Sequence, residues 1–325
     1  MALKELLDKL WHEHADYLII SCGAPPTIKM DNRFVSIGSE SLTPEQAKDL
    51  VYEVLNPEQK ETIEKKGDLD FSFGIKGMCR FRGNAFMQRG SITAVINTNP
   101  FTPPSWEDIK GPKNVLPLLK CKNGLIIVTG STGSGKTTVM TSLIDYINSN
   151  LFDHIITIED PIEYLHSHKK SIVHQRQIGT DTDSFQTAVN YILRQNPDVV
   201  MLGEVRNLDM MAAALTIAQT SCLCIFPLHA TDTIAALDRI IKAFPNERQE
   251  LVRKQLAECF LFAVASQLML KAKGRGRFAA YEVLMNDAKV KKIIEGGNLN
   301  RLKSYLDPSI AKSIRKLKKA GKIKT

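Results

Sequence analysis

The segment at residues 130–138 carries the most specific chemical pattern in the chain. It reads Gly-Ser-Thr-Gly-Ser-Gly-Lys-Thr-Thr and fits the phosphate-binding spacing GxxxxGK[ST]. An apolar run at 125–128 precedes it, and Val139, Leu143 and Ile147 follow at helical spacing. Glycines let backbone N–H groups turn towards phosphate oxygens, and the start of a helix adds partial positive charge. The pattern therefore predicts a site for nucleotide phosphates.

The positions after Gly130 are the predicted ligands of a nucleoside polyphosphate. Lys136 is expected to reach the β- and γ-phosphates, and the Thr137 hydroxyl is expected to ligate Mg²⁺. The other positions are expected to donate backbone N–H groups or hydroxyls. The full predicted set is Ser131, Thr132, Gly133, Ser134, Gly135, Lys136, Thr137 and Thr138.

Carboxylates follow two further apolar runs. Residues 198–204 form a run that ends in Glu204, an arrangement typical of the Walker B strand. Such a carboxylate can hold the Mg²⁺ shell or polarise an attacking water. Residues 158–163 end in a second acidic group that contains Glu163. Ligands bind at the carboxyl ends of parallel strands, so the two groups together predict hydrolysis, although Asp160-Pro161 is also a common turn.

Histidine and arginine side chains are further candidates for catalytic residues. His229 ends a fourth apolar run, where it could sense the γ-phosphate or the neighbouring subunit, although a lone histidine at a strand end is more often structural. Arg80, Arg82 and Arg89 lie in a basic hairpin of the first hundred residues. Such a hairpin is usually a solvated face; the alternative is that its arginines reach a phosphate from another domain or subunit.

The surrounding pattern predicts the elements that must position these residues. Short apolar runs alternate with helical segments from residue 114 onward, which predicts a parallel sheet covered on both faces. The first hundred residues read as a small α+β domain, in which Thr43 and Gln46 form a capping box at a helix start. We expect domains at 1–100 and 114–272, a proline-rich linker at 101–113 and a basic helical region at 273–325.

Net charge and composition restrict the class of protein. The chain carries 43 Lys and Arg against 35 Asp and Glu, a formal charge of +8. Residues 271–325 hold 16 basic and 4 acidic side chains, while the rest of the chain is slightly acidic. No cluster of base-stacking aromatics accompanies this tail, so we expect no nucleic acid as partner.

Membrane, secreted and zinc-binding classes are not expected. The most apolar stretch, at 259–270, contains Ser266 and Gln267 and is shorter than the roughly 20 apolar residues of a bilayer span. The amino terminus lacks a signal-peptide core, and the six cysteines include no CxxC pair. We therefore expect a cytoplasmic protein with reduced thiols.

The order of the motifs resembles the secretion ATPases, and among them the type IV pilus retraction ATPases. Four boxes match in sequence: the phosphate loop, an aspartate box at 157–163, a Walker B segment at 196–206 and a histidine box around His229. Segments at 23–26, 68–71 and 80–82 are also similar, and the resemblance runs from about residue 16 to about residue 302.

The resemblance implies an α/β architecture: a RecA-like P-loop ATPase core with a smaller, PAS-like N-terminal domain, binding ATP and Mg²⁺ between them. It implies Glu163 as general base, Glu204 as support for Mg²⁺ and water, and functional roles for His229 and Arg82, with Arg89 a further catalytic candidate. It also implies a homohexamer at the cytoplasmic side of the inner membrane. Its partner would be a membrane platform protein that releases pilins from the fibre.

Departures from the family pattern indicate a divergent paralogue. Replacements occur at Asn97, Asn196, Asn207, Gln219, Cys222 and Pro227, and the retraction signature is not retained at 289–298. Asn97 and Cys222 leave open a weakly hydrolysing accessory ATPase that partners a paralogous motor. The RecA-like core and the basic tail leave open a second alternative, a nucleic-acid translocase.

Overall fold

The computed structural model describes residues 2–13, 15–30, 33–76, 78–99, 102–220, 222–273 and 276–323. The chain divides into two compact units. One comprises Met1–Thr102 and Pro161–Leu165, and the other comprises Pro103–Asp160 and His166–Thr325.

The N-terminal unit is an antiparallel sheet with three helices, in the strand order β3-β2-β1-β6-β5-β4. Its elements are α1 (Leu3–His12), β1 (Tyr17–Ile20), β2 (Thr27–Met30), β3 (Arg33–Ser36), α2 (Pro44–Tyr52), α3 (Pro57–Lys66), β4 (Asp68–Ile75), β5 (Cys79–Gln88) and β6 (Ser91–Asn99).

Local sequence accounts for these elements. The Thr43 hydroxyl accepts from the Gln46 backbone N–H and the Gln46 side chain accepts from the Thr43 N–H, which confirms the predicted capping box of α2. Four leucines of α1 at helical spacing are buried against the sheet: Leu3, Leu6, Leu7 and Leu10. The unit thus combines helices with an antiparallel sheet, and its PAS-like character stays a prediction.

The C-terminal unit contains a seven-stranded mixed sheet in the order β13-β12-β7-β11-β10-β8-β9. Its elements are β7 (Gly124–Thr129), α4 (Lys136–Asn150), β8 (His154–Glu159), β9 (Ile172–Gln177), α5 (Phe185–Ile192), β10 (Val199–Leu202), α6 (Leu208–Gln219), β11 (Leu223–Leu228), α7 (Thr233–Lys242), α8 (Asn246–Cys259), β12 (Phe260–Leu270), β13 (Arg277–Met285), α9 (Ala288–Gly296) and α10 (Ile310–Lys319).

Strands β7, β10 and β11 are buried along their whole length, as expected of parallel strands covered on both faces. One apolar cluster packs α4 on the sheet, and a second packs the helices from α5 to α9 on it. The predicted parallel sheet is thus confirmed.

Two expectations differ from the structure. Helix was predicted from Arg277 onward, but Arg277–Met285 form strand β13, which pairs antiparallel with β12 and covers its otherwise open edge. Residues 103–113, expected as linker, belong to the C-terminal unit, where Trp106 is buried and its indole N–H donates to the Pro112 carbonyl at 3.1 Å.

Candidate active site

The candidate site is built on the carboxyl ends of four neighbouring parallel strands. Strands β7, β11, β10 and β8 pair in parallel and end at Thr129, Leu228, Leu202 and Glu159. The segments that follow these strands therefore emerge at the same edge of the sheet, which is where ligands bind in such folds. These segments contain the phosphate loop, His229, Glu204 and the aspartate box.

The phosphate loop depends on glycine. Gly130 has φ of 148°, and a Cβ there would lie 2.3 Å from the Ser134 Oγ and 2.7 Å from the Ser266 carbonyl oxygen. Gly135, at φ of 92°, stands at the N-cap of α4 and provides no side-chain cap. The first N–H groups of α4 are therefore not satisfied by a capping side chain, and they suit an anion.

Lys136 bridges the loop. Its Nζ donates to the carbonyls of Gly130 and Ser131 at 3.0 and 2.8 Å. Burial lowers the pKa of Lys136, and the negative charge of Glu204 opposes that effect. The ammonium is thus held at the loop beside the site's carboxylate.

The other predicted phosphate ligands fall into two groups. Ser131, Thr132 and Gly133 are exposed at the loop tip. Ser134 is buried, and its hydroxyl has no hydrogen-bond partner among the described residues. An unpartnered buried hydroxyl, an uncapped helix start and a lysine at the loop together fit a polyphosphate with Mg²⁺, for which Thr137 and Thr138 lie in the first turn of α4.

Glu204 lies two residues beyond β10. Its carboxylate forms an ion pair with Arg206. The preceding Gly203 donates its N–H to the Ile158 carbonyl at 2.7 Å. A Cβ at this glycine would lie 3.0 Å from the backbone of Glu159, so the Walker B end packs directly on β8.

Glu159 is a functional candidate that the sequence patterns did not single out. It is buried at the end of β8, where it accepts from the Thr157 hydroxyl at 2.7 Å and from the Gln175 amide at 2.9 Å. The same Gln175 side chain accepts from the backbone N–H of His166 at 2.8 Å. These bonds hold the chain on both sides of Pro161–Leu165. The acidic run at 158–163 was visible in the sequence, but the pairing with Gln175 required the fold.

Glu163 and Arg82 contact each other within the N-terminal unit. The Arg82 guanidinium donates to the Glu163 carboxylate at 2.6 Å. Arg82 lies on β5 opposite Asn97 on β6. Arg89 lies instead at the turn of this hairpin with φ of 51°, roughly 20 Å along the strand from Arg82. The structure therefore brings Arg82, and not Arg89, to Glu163.

His229 directly follows β11. The buried Thr129 hydroxyl lies 3.1 Å from the Leu228 carbonyl and 3.2 Å from the Ala230 carbonyl, the two groups that flank His229. Arg239 donates to the His229 carbonyl at 2.5 Å. Partial burial and the positive charge of Lys136 lower the pKa of His229, while Glu204 acts in the opposite direction. Lys136, Glu204 and His229 thus share one electrostatic environment.

A cavity of about 970 Å³ adjoins the phosphate loop inside the C-terminal unit. Ser134, Gly135 and Thr138 line one side of it, and Leu268 and Tyr281 contribute apolar surface. This volume lies at the upper end of the range for small-molecule sites.

The described residues contain neither a membrane-spanning helix nor a ready-made metal cluster. No helix in that part of the chain has both the length and the apolar character of a bilayer span. No cluster of His, Cys, Asp or Glu there could hold a metal ion by itself.

Comparisons with known proteins show the family to which this chain belongs. The family model for "Type II/IV secretion system protein" matches residues 108–322. The chain is 38% identical over 309 residues to the type IV pilus ATPase PilU of Pseudomonas aeruginosa, covering 95% of this chain and 81% of that protein. It is 36% identical over 306 residues to the pilus retraction ATPase PilT of the same organism, covering 94% and 89%.

A solved structure supports the same conclusion. The pilus retraction motor PilT with bound ADP superposes with a TM-score of 0.90 at 38% identity, covering 100% of this chain and 95% of that one. The expected P-loop ATPase fold and the resemblance to pilus ATPases are thereby confirmed. The chain is an ATPase and belongs to the PilT/PilU-like type IV pilus ATPases of the type II/IV secretion system protein family.

Proposed function

We propose that this chain is an ATP-hydrolysing motor that drives type IV pilus retraction. The observation that carries the proposal is the convergence of Lys136, Glu204 and His229 beside an uncapped phosphate loop at one edge of the sheet. Phosphoryl transfer depends mainly on positioning and on stabilising developing charge, and this arrangement supplies both. The similarity to a pilus retraction motor supports retraction as the work performed.

The phosphate loop would bind the ATP polyphosphate. Lys136 Nζ would exchange the carbonyls of Gly130 and Ser131 for β- and γ-phosphate oxygens, and the N–H groups at the start of α4 would donate to the same oxygens. The Thr137 hydroxyl and Glu204 would hold Mg²⁺, which supplies neutralisation of phosphate charge when bound.

Glu163 would act as the general base of hydrolysis. It would accept a proton from a water whose oxygen bonds to the γ-phosphorus while the bond to the ADP oxygen breaks, giving ADP and phosphate. Arg82 would orient this carboxylate through the contact already present, and His229 would contact the γ-phosphate. Arg89, at the hairpin turn, would serve only towards a neighbouring chain.

We further propose a ring of six chains at the cytoplasmic face of the inner membrane. A platform protein in that membrane would be the direct partner, and the pilin fibre would be affected indirectly. Closure and opening during each ATP cycle would turn hydrolysis into movement.

An accessory ATPase that works beside a paralogous motor is the second candidate. Asn97 favours it, because this amide stands opposite Arg82 at a position where the resemblance implies an arginine. Cys222 supports the accessory role less strongly. Its thiol is buried against the Pro197 carbonyl at the amino end of β11, about 20 Å of extended chain from His229.

Steady-state ATPase measurements on the full chain test the proposal. Glu163→Gln and Glu204→Gln should each reduce kcat by about 100-fold or more while ADP still binds. Glu247→Gln, an exposed carboxylate in the first turn of α8, is the matched control and should retain full turnover. If Glu163→Gln hydrolyses ATP at the wild-type rate, Glu163 is not the general base.

A second measurement separates the motor from the accessory ATPase. Turnover of this chain alone supports the motor, as does recovery of twitching in cells that lack every other retraction ATPase. Turnover that appears only with a paralogue present, or that rises at least tenfold in Asn97→Arg, supports the accessory role.

A further inference from the structure

We propose that the basic C-terminal helix α10 is part of the nucleotide site, and that Lys316, an exposed cation lining the cavity beside the phosphate loop, binds the nucleotide. The inference rests on the proposed binding of ATP at the phosphate loop. It assigns the basic tail a role in nucleotide binding. Charge alone suggested a docking element, whereas the structure places this helix along the cavity that begins at the loop.

Helix α10 is fixed to the sheet. The Ser313 hydroxyl donates to the Tyr281 carbonyl on β13 at 2.6 Å, and the Ile310 N–H donates to the buried carboxylate of Glu282 at 3.3 Å. Beyond the helix, the Lys322 carbonyl accepts from the Ala272 N–H at 2.9 Å. These hydrogen bonds fix the position of α10 against the strands that line the cavity.

The helix and the phosphate loop line the same cavity. Lys312 and Lys316, one helical turn apart, line it from α10, and Ser134 and Thr138 line it from the loop and α4. Ser266, also in the lining, is buried and has no hydrogen-bond partner among the described residues, as is true of Ser134. Two unpartnered hydroxyls in one cavity indicate a polar ligand that would satisfy them.

The charge of the cavity is strongly positive. Two carboxylates, Asp108 and Asp307, lie in the lining against six cations: Lys110, Lys113, Lys271, Arg277, Lys312 and Lys316. Lys312 is already paired with Asp307 at 3.4 Å, whereas none of the ion pairs among the described residues includes Lys316. Of the two α10 cations in the lining, Lys316 is therefore the one that is available to an anionic ligand.

The apolar part of the cavity suits a planar base. Leu268, Tyr281 and Phe278 line it, and the Phe278 ring lies beneath the ammonium groups of Lys110 and Lys271 at 4.4 and 5.4 Å from its centroid. A ligand with an aromatic base and several phosphates matches both parts, since bases pack on aromatic surfaces and phosphates pair with cations. A nucleoside polyphosphate on the loop would therefore extend towards α10.

Nucleotide binding should consequently stabilise the C-terminal helix. A ligand that contacts only the folded helix shifts its equilibrium against local unfolding. Arg315, Lys318 and Lys319 are exposed cations of α10 outside the cavity lining. A partner bound to these residues would then distinguish the nucleotide-bound subunit from the empty one.

The test uses the full chain with a fluorescent ADP and Mg²⁺. Lys316→Gln should weaken binding about three- to tenfold. Lys318→Gln, two residues away on the same helix and outside the cavity lining, is the control and should bind as wild type. Hydrogen exchange should show that ADP protects the amides of Ile310–Lys319.

The outcomes separate this inference from the proposed site itself. If Lys136→Ala abolishes binding while Lys316→Gln and Lys318→Gln bind equally well, the role of α10 is overturned and the phosphate site stands. If Lys136→Ala binds normally, the proposed phosphate site fails as well. Lys316→Gln and Lys318→Gln could instead lose binding to anionic lipid vesicles equally. If nucleotide binding is then unchanged and ADP does not protect α10 from hydrogen exchange, the tail serves only in docking and the inference is overturned.

Discussion

The Arg82 guanidinium and the Glu163 carboxylate lie 2.6 Å apart, although 81 positions separate them in the chain. Glu163 lies between two strands of the C-terminal sheet in sequence, but the short segment that carries it belongs to the N-terminal unit. The proposed general base is therefore held by a side chain of the unit that does not contain the phosphate loop. This contact makes the orientation of Glu163 depend on the N-terminal hairpin.

Replacing Arg82 should impair hydrolysis more than nucleotide binding. Arg82→Ala removes the donor that orients Glu163, so kcat should fall about 10- to 100-fold. Arg82→Lys should recover only part of this loss, because an ammonium lacks the planar fork of guanidinium. Steady-state kinetics measure both, with Arg33→Ala on the exposed strand β3 as control. Full turnover in Arg82→Ala would show that the contact does not matter for catalysis.

Thr129 should act as a positioning residue for His229. Thr129→Val keeps the shape of the side chain but removes the hydroxyl that reaches the carbonyls on both sides of His229. We expect kcat to fall about tenfold with a small change in KM, because the loop loses its position and not its ligands. Thr129→Ser restores the hydroxyl and should restore kcat. A serine variant as slow as the valine variant would contradict the positioning role.

ATPase activity should fall at low pH because His229 becomes protonated. Its pKa lies below the ordinary value of about 6.5, because burial and Lys136 disfavour the charged ring. The ring is therefore neutral at pH 7 and gains a proton only at lower pH. If the neutral ring contacts the γ-phosphate, kcat/KM should drop as the pH falls below that ordinary value. His229→Gln should lower activity and remove this acid limb in a profile from pH 5 to 8; an unchanged limb would assign it to another group.

His166 should make folding stability depend on pH. Its ring is buried beside the Thr141 hydroxyl at 3.1 Å, and burial lowers its pKa to about 4. The folded state therefore favours the neutral ring, and protonation favours the unfolded chain as the pH falls below the unfolded pKa. Between pH 6.5 and 5 this group should cost about 2 kcal/mol of unfolding free energy.

Urea unfolding at pH 5, 6 and 7 measures this dependence. His166→Gln should flatten it, while His12→Gln, an exposed position on α1, should leave it as in the wild type. A wild-type stability that does not change across this range would contradict the buried neutral state of His166.

The sequence by itself determined the local chemistry of this protein. The spacing at 130–138 specified the phosphate loop, because only glycines accept the backbone angles that Gly130 and Gly135 adopt. Alternating apolar runs specified a covered parallel sheet, and Thr43 with Gln46 specified a helix start, since both depend on residues close in the chain.

Tertiary structure decided the relations between distant residues. The Arg82–Glu163 contact, the Glu159–Gln175 pair and the hold of Thr129 on the His229 loop join residues from separate strands, and no local pattern encodes them. The same is true of the basic tail: composition showed its charge, but only the packing of α10 on β13 placed Lys316 in the lining of the cavity beside the phosphate loop. Charge is a property of the residues, whereas the partner of that charge depends on which surfaces the chain brings together.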